Sequence, residues 1–127
     1  MSYTKKNLRD VEDSAVKFGL SDAQEARFAR RDLAAKQTGL THLIIKPGQR
    51  EAFAHRHRDA EEVYVVLAGS GRVKLDDDMV DLTELDAVRV GPGTTRQLEA
   101  GANGVEVLIV GAHVEADVEQ VSDFWTS

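Results

Sequence analysis

His55 and His57 are separated by a single residue, and four residues intervene before Glu62. On an extended strand, residues two apart point to the same face, so both imidazoles can reach one point. A helix would turn them about 200° apart, where they could not share an ion. The polar stretch Arg58-Asp59-Ala60 makes a short turn, and Val63 to Ala68 then has the β-branched and aromatic character of a strand. Strand, tight turn, strand brings two imidazoles and one carboxylate together with coordination positions left open. That is the ligand set of a non-haem iron or related divalent site, with Fe, Mn, Ni or Zn as the candidate ions. The plainer alternative is a pair of partly exposed histidines on a charged strand, since Arg56 and Arg58 interleave with them.

These residues resemble a known pattern. Gly48, then His55 and His57, then Glu62, then Gly69 after six more residues are similar to the first motif of the cupins, with one residue more than usual between Gly48 and His55. The resemblance implies Glu62, not Glu61, as the carboxylate ligand, and Glu61 is expected to point outward beside Arg58. It also implies a second motif near Gly93. There Leu85 stands at the first glycine, Gly91 at the proline, Pro92 one place on, Arg96 at a third histidine and Ala100 at an asparagine. The resemblance therefore implies a metal site that lacks its fourth ligand.

Arg96 divides the functional readings. Its guanidinium stays charged and cannot ligate a metal. Pointing inward, it can pair with Glu62 and satisfy both charges without an ion. Swung aside, it leaves a three-ligand site and can receive a ligand's carboxylate or phosphate. On the rim, it is simply solvated. Metal-loaded and metal-free states both stay open. His42 and His113 are further candidates for the missing ligand, although lone histidines beside strands are more often structural or solvent-facing. Tyr64 and Val66 share the parity of Glu62, and Phe53 that of His55, so these three and Arg96 are the expected ligand-binding residues. Asp76-Asp77-Asp78 lacks the glycine and distal glutamate of a calcium loop and is a hairpin turn.

The elements that must position this site are short strands. Ser21 to Gln24 has capping-box spacing, yet the alternation around Ala26 and Phe28 favours a strand over Glu25 to Arg30. Thr41 to Lys46 and Arg50 to His57 follow, with Pro47-Gly48 between them as a turn. Val63 to Ala68 is expected to be buried on both faces. Gly69-Ser70-Gly71 is expected to turn the chain into a strand with Val73 and Leu75 on one face, and Asp76 to Asp78 to turn it again into Met79 to Thr83. Ala87 to Val90 is a brief strand ending at Gly91-Pro92-Gly93. Thr95 to Glu99 goes out, Gly101 to Gly104 turns, and Val105 to Val110 returns. Many short strands, glycine-rich turns and no long amphipathic helix indicate an all-β sandwich or barrel. The cupin resemblance, covering roughly residues 39–110, implies a double-stranded β-helix, or jelly-roll barrel.

The 127 residues suit a single domain, with a barrel core at about 38–112, an N-terminal extension over 1–37 and a C-terminal tail over 113–127. Apolar residues make up 42% and charged residues 30%, ordinary for a soluble globular chain. The net charge of −6, with no basic block, argues against nucleic acid as a partner. The longest apolar run is too short for a membrane span, and the N-terminus lacks the apolar core of a secretory signal. A cytoplasmic location is the expectation. With no cysteine, there is neither a disulfide nor thiolate catalysis. Leu8, Val11, Val16, Phe18, Phe124 and Trp125 in the two extensions suggest a homodimer contact. Three functions fit: a small-molecule-binding cupin with or without a divalent ion, a metal-dependent dioxygenase- or isomerase-like enzyme, and a structural or regulatory subunit with a vestigial pocket.

Overall fold

The computed structural model describes residues 2–126. Among the described residues, eight strands carry the fold: β1 (Gln24–Phe28), β2 (Thr38–Ile45), β3 (Ala54–His57), β4 (Glu62–Leu75), β5 (Asp78–Leu82), β6 (Ala87–Val90), β7 (Arg96–Ala112) and β8 (Val118–Val121). All pairings are antiparallel. The order β1-β2-β7-β3-β8 forms one path, and β4 joins it by pairing with β5, β6 and β7. The curled sheet packs Leu43, Ile45, Tyr64, Val66, Leu98 and Val107 into its interior. This is the expected all-β barrel.

The expected strand after residue 24 is present as β1, in register with β2 from Gln24↔Ile45 to Phe28↔Thr41. Two expected turns are absent. Gly69-Ser70-Gly71 lies within β4 and Gly101 to Gly104 within β7, where the ladder between the two strands shifts register at Val66/Ala68 and Gly69/Gly71. The glycines serve close approach of two bent backbones. A Cβ on Gly69 would lie 2.1 Å from the Gly104 carbonyl oxygen, and one on Gly71 would lie 2.2 Å from that of Glu99. Sequence alone does not separate a glycine that turns from one that admits a neighbour.

Val63 to Ala68 is not buried on both faces. Tyr64 and Val66 are buried, while Val63, Val65 and Leu67 are partly exposed and Ala68 is exposed. The outer face of an antiparallel sheet can meet water, and here it does.

The N-terminal extension closes on the barrel through a 3-10 turn at Leu8–Asp10 and a one-turn helix, α1 (Ser14–Lys17). Asp13 Oδ1 accepts from the Ala15 N–H at 3.0 Å and the Ala26 N–H at 2.9 Å, tying the helix cap to β1. Val11 and Ala15 are buried, whereas Val16 and Phe18 remain exposed. At the other end, the guanidinium groups of Arg50 and Arg72 both lie over the Trp125 ring, 4.7 and 5.1 Å from its centroid. Glu99 accepts from both of those arginines, at 2.7 and 2.8 Å. The tail thus docks on its own barrel. Among the described residues, no helix is long and apolar enough to cross a membrane.

Candidate metal centre and cavity

The alternation of β3 buries Ala54, exposes Arg56 and leaves His55 and His57 partly buried on the cavity side. Their ring centroids are 5.3 Å apart, edge to face. The turn after β3 reverses the chain so that β4 begins at Glu62. Gly111 is the cross-strand partner of Glu62. A Cβ there would come within 2.7 Å of the Glu61 carbonyl oxygen and 3.0 Å of Glu62 Cγ. Glycine at that position leaves Glu62 room to turn inward. One donor atom from each of His55, His57 and Glu62 lies within 4.8 Å of the others, the grouping anticipated from sequence. Two imidazoles and a carboxylate at this spacing suit a divalent transition ion and leave further positions facing the cavity.

A cation already stands in the same place. Arg96 is the cross-strand partner of His55 and is fully buried. Its Nη2 donates to Glu62 Oε1 at 3.2 Å, and its Nη1 donates to the Thr94 carbonyl at 2.8 Å. His57 Nε2 is 3.1 Å from the same Glu62 oxygen. The inward-pointing alternative for Arg96 is therefore the one the fold adopts.

The electrostatics follow from this crowding. Burial pushes the His55 imidazole down to about 4, helped by the Arg96 charge, so it stands neutral and able to ligate. The Glu62 contact raises His57 against the cost of burial, so it holds a proton more firmly. For Glu62, burial alone would raise the carboxyl, but His57, Arg96 and His55 together hold it below the usual carboxylate range. Tyr64 is pushed well above its ordinary value by burial. Its hydroxyl feels the guanidinium but makes no well-oriented hydrogen bond with it, and Arg96 Nε is likewise unpartnered.

The three donors open into a cavity of about 560 Å³, lined also by Gln24, Glu51, Phe28, Leu43, Phe53 and Ile109. Of the four residues expected to meet a ligand, Phe53 lines this cavity. Arg96, Tyr64 and Val66 lie behind its wall in the packed interior, each 2% exposed or less. His42 is buried on β2 with Nε2 2.6 Å from Glu106 Oε2, and His113 pairs with Glu115 at 2.9 Å. Neither joins the donor cluster. Glu61 does point outward, but its partner is Arg89 at 3.3 Å, not Arg58.

Two residues of the site escape a local reading of the sequence. Glu51 lines the cavity, accepts the Leu98 N–H at 3.1 Å, and is pushed by burial up to about 7. Its parity with Phe53, His55 and His57 was a usable signal. Asp117, with 59 residues between it and His57, offered none. It is 3% exposed, and its Oδ2 stands 3.1 Å from His57 Nδ1.

A curled antiparallel sheet that encloses a His-x-His pair and a carboxylate defines a barrel of the cupin type. Residues 41–111 match the family described as Cupin domain, and the chain belongs to that family. Among solved structures, oxalate decarboxylase from Bacillus subtilis superposes with a TM-score of 0.80 at 23% identity, covering 97% of this chain and 33% of that one. The present chain thus spans about one third of that protein. A cupin protein from Bacteroides fragilis gives a TM-score of 0.69 at 19% identity, covering 98% of this chain and 95% of that one. A putative sugar phosphate isomerase from Acidithiobacillus ferrooxidans gives 0.67 at 20% identity, covering 76% and 64%. At these identities the likeness is one of fold. No curated protein matches the chain.

Proposed function

We propose that this chain binds a small molecule in the barrel cavity and presents it to a divalent ion held by His55, His57 and Glu62. The observation that carries this reading is the opening of all three donors into one cavity of about 560 Å³, large enough for a small organic ligand. Phe28, Leu43, Phe53 and Ile109 give that cavity apolar surface beside the donors. The ligand class is therefore a molecule with an oxygen-bearing head and an apolar body. The ion would polarise a ligand oxygen, and iron would add redox chemistry. Two fold neighbours named for small oxygen-rich molecules, oxalate and a sugar phosphate, support the head-group assignment.

A metal-free binding module is the second reading, and the Arg96 contact with Glu62 favours it. Metal analysis of protein purified without chelator, followed by zinc and nickel titration, separates the two. Stoichiometric uptake supports the ion-dependent reading. No retained metal and no uptake at millimolar concentration would leave the cavity as a metal-free binding site.

A further inference from the structure

The segment after the last barrel strand reaches back into the site. β8 pairs with all of β3, from Ala54↔Val121 to His57↔Val118. Asp117, just before β8, places its carboxylate under the turn that joins the two ligand-bearing strands. Its Oδ1 accepts the Asp59 N–H at 2.8 Å, and its Oδ2 accepts the Ala60 N–H at 3.0 Å. The same Oδ2 lies 3.1 Å from His57 Nδ1, while the Arg58 N–H donates to the Asp117 carbonyl at 3.0 Å. One buried carboxylate therefore touches the turn and the imidazole together. A carboxylate holding the far nitrogen of an imidazole fixes both the ring's orientation and which nitrogen is left for a metal.

We infer that Asp117 is a positioning residue: it holds the Nδ1 proton of His57 and turns Nε2 toward His55 and Glu62, so that the C-terminal segment completes the divalent-ion site. The geometry stands without an ion, and only the consequence for affinity rests on the function proposed above. The alternative is that Asp117 simply braces the turn.

The test uses the full chain, with zinc as the probe. Long-range proton–nitrogen spectra of the wild type should show His57 Nδ1 protonated without metal, although Glu62 Oε1 at 3.1 Å also offers Nε2 an acceptor, and still protonated with zinc on Nε2. Asp117→Asn keeps an oxygen for one backbone N–H but loses the carboxylate. Calorimetry should show its zinc affinity weakened about 10–100-fold, with the His57 Nδ1 proton lost from the metal-free spectrum. A folded Asp117→Asn with a lower melting point but unchanged zinc affinity would make Asp117 a brace only. A metal-free wild-type His57 whose Nδ1 carries no proton would overturn the inference outright, and this spectrum decides the matter if the variant fails to fold. If the wild type takes up no zinc, the ion-binding proposal fails, while the metal-free spectrum still tests Asp117.

Discussion

Replacing Arg96 by histidine changes two things at once, and their sizes can be worked out from the site. The guanidinium is 3.2 Å from Glu62 Oε1. A metal–carboxylate bond adds about 2 Å, so an ion on Glu62 would stand within about 5 Å of the guanidinium. At that distance a divalent ion and a single positive charge repel by roughly 7 kcal/mol at an effective dielectric of about 20, and by about 2 kcal/mol in bulk water. The cavity is open on one side, so ~2–5 kcal/mol is the working range, or ~30-fold to ~4,000-fold in affinity. A histidine at this position also offers a further ligand nitrogen. Zinc calorimetry at matched pH should therefore show much tighter binding to Arg96→His than to the wild type. Loss of one partner from a buried ion pair costs up to about 3–5 kcal/mol, and His57 on the same oxygen moderates it. The metal-free variant should melt below the wild type and recover about 2.7 kcal/mol with zinc at 100 times its dissociation constant. Equal, tight binding by both proteins would refute the view that Arg96 competes for Glu62.

Glu51→Gln should be more stable than the wild type above pH 7. The native carboxyl is raised from 4.5 to about 7 by burial, so the unfolded chain ionises first and stability falls as pH rises across that window. At 1.36 kcal/mol per pH unit the gain for the glutamine is at most ~3 kcal/mol. His55, lowered from 6.5 to about 4, gives the opposite slope: stability rises with pH between those values, so the variant should show an acid-side rise that the wild type masks. Urea denaturation from pH 4 to 8 checks both, and a variant no more stable than wild type at pH 8 would sink the idea. Leu85 stands where the cupin pattern has a glycine, and it is 75% exposed with a φ of 69°. Leu85→Gly removes a left-handed strain of about 1 kcal/mol and should raise the urea midpoint, whereas a lower midpoint would show that the backbone there is unstrained.

Alternation made most of the strands legible, because one face of each is packed and the other is wet. It failed where glycine was ambiguous. Gly69, Gly71, Gly101 and Gly104 looked like turn residues, yet they lie in two long strands that bend together; the first three are crowded by the opposite long strand, and Gly104 by Ile45 and Pro47. Those contacts are more than 25 residues distant in sequence, so no local window contains them. Gly111 is a similar case, since a Cβ there would meet the Glu61 carbonyl and the Glu62 side chain across the ladder. The same limit produced the error over Val63 to Ala68. An apolar run shows that a strand can be buried on both faces, but only the packing shows whether anything covers the second one.

The site divides along the same line. His55, His57 and Glu62 were readable because a local spacing rule, two residues on a strand and a tight turn, puts them together. What sets their behaviour is not local. Arg96 reaches Glu62 because β7 pairs with β3 at His55, and that pairing is fixed only when the sheet closes. Asp117 reaches His57 because β8 folds back along the whole of β3. One of these partners is a cation on the carboxylate of the cluster, and the other is a carboxylate on one of its imidazoles. On the proposed reading they would act in opposite senses on a divalent ion: Arg96 would oppose its charge, while Asp117 would steady the imidazole that receives it. Whether the barrel holds metal at rest is then a balance between two residues outside the ligand motif, and a chain with an intact His-x-His and glutamate can lie on either side of it.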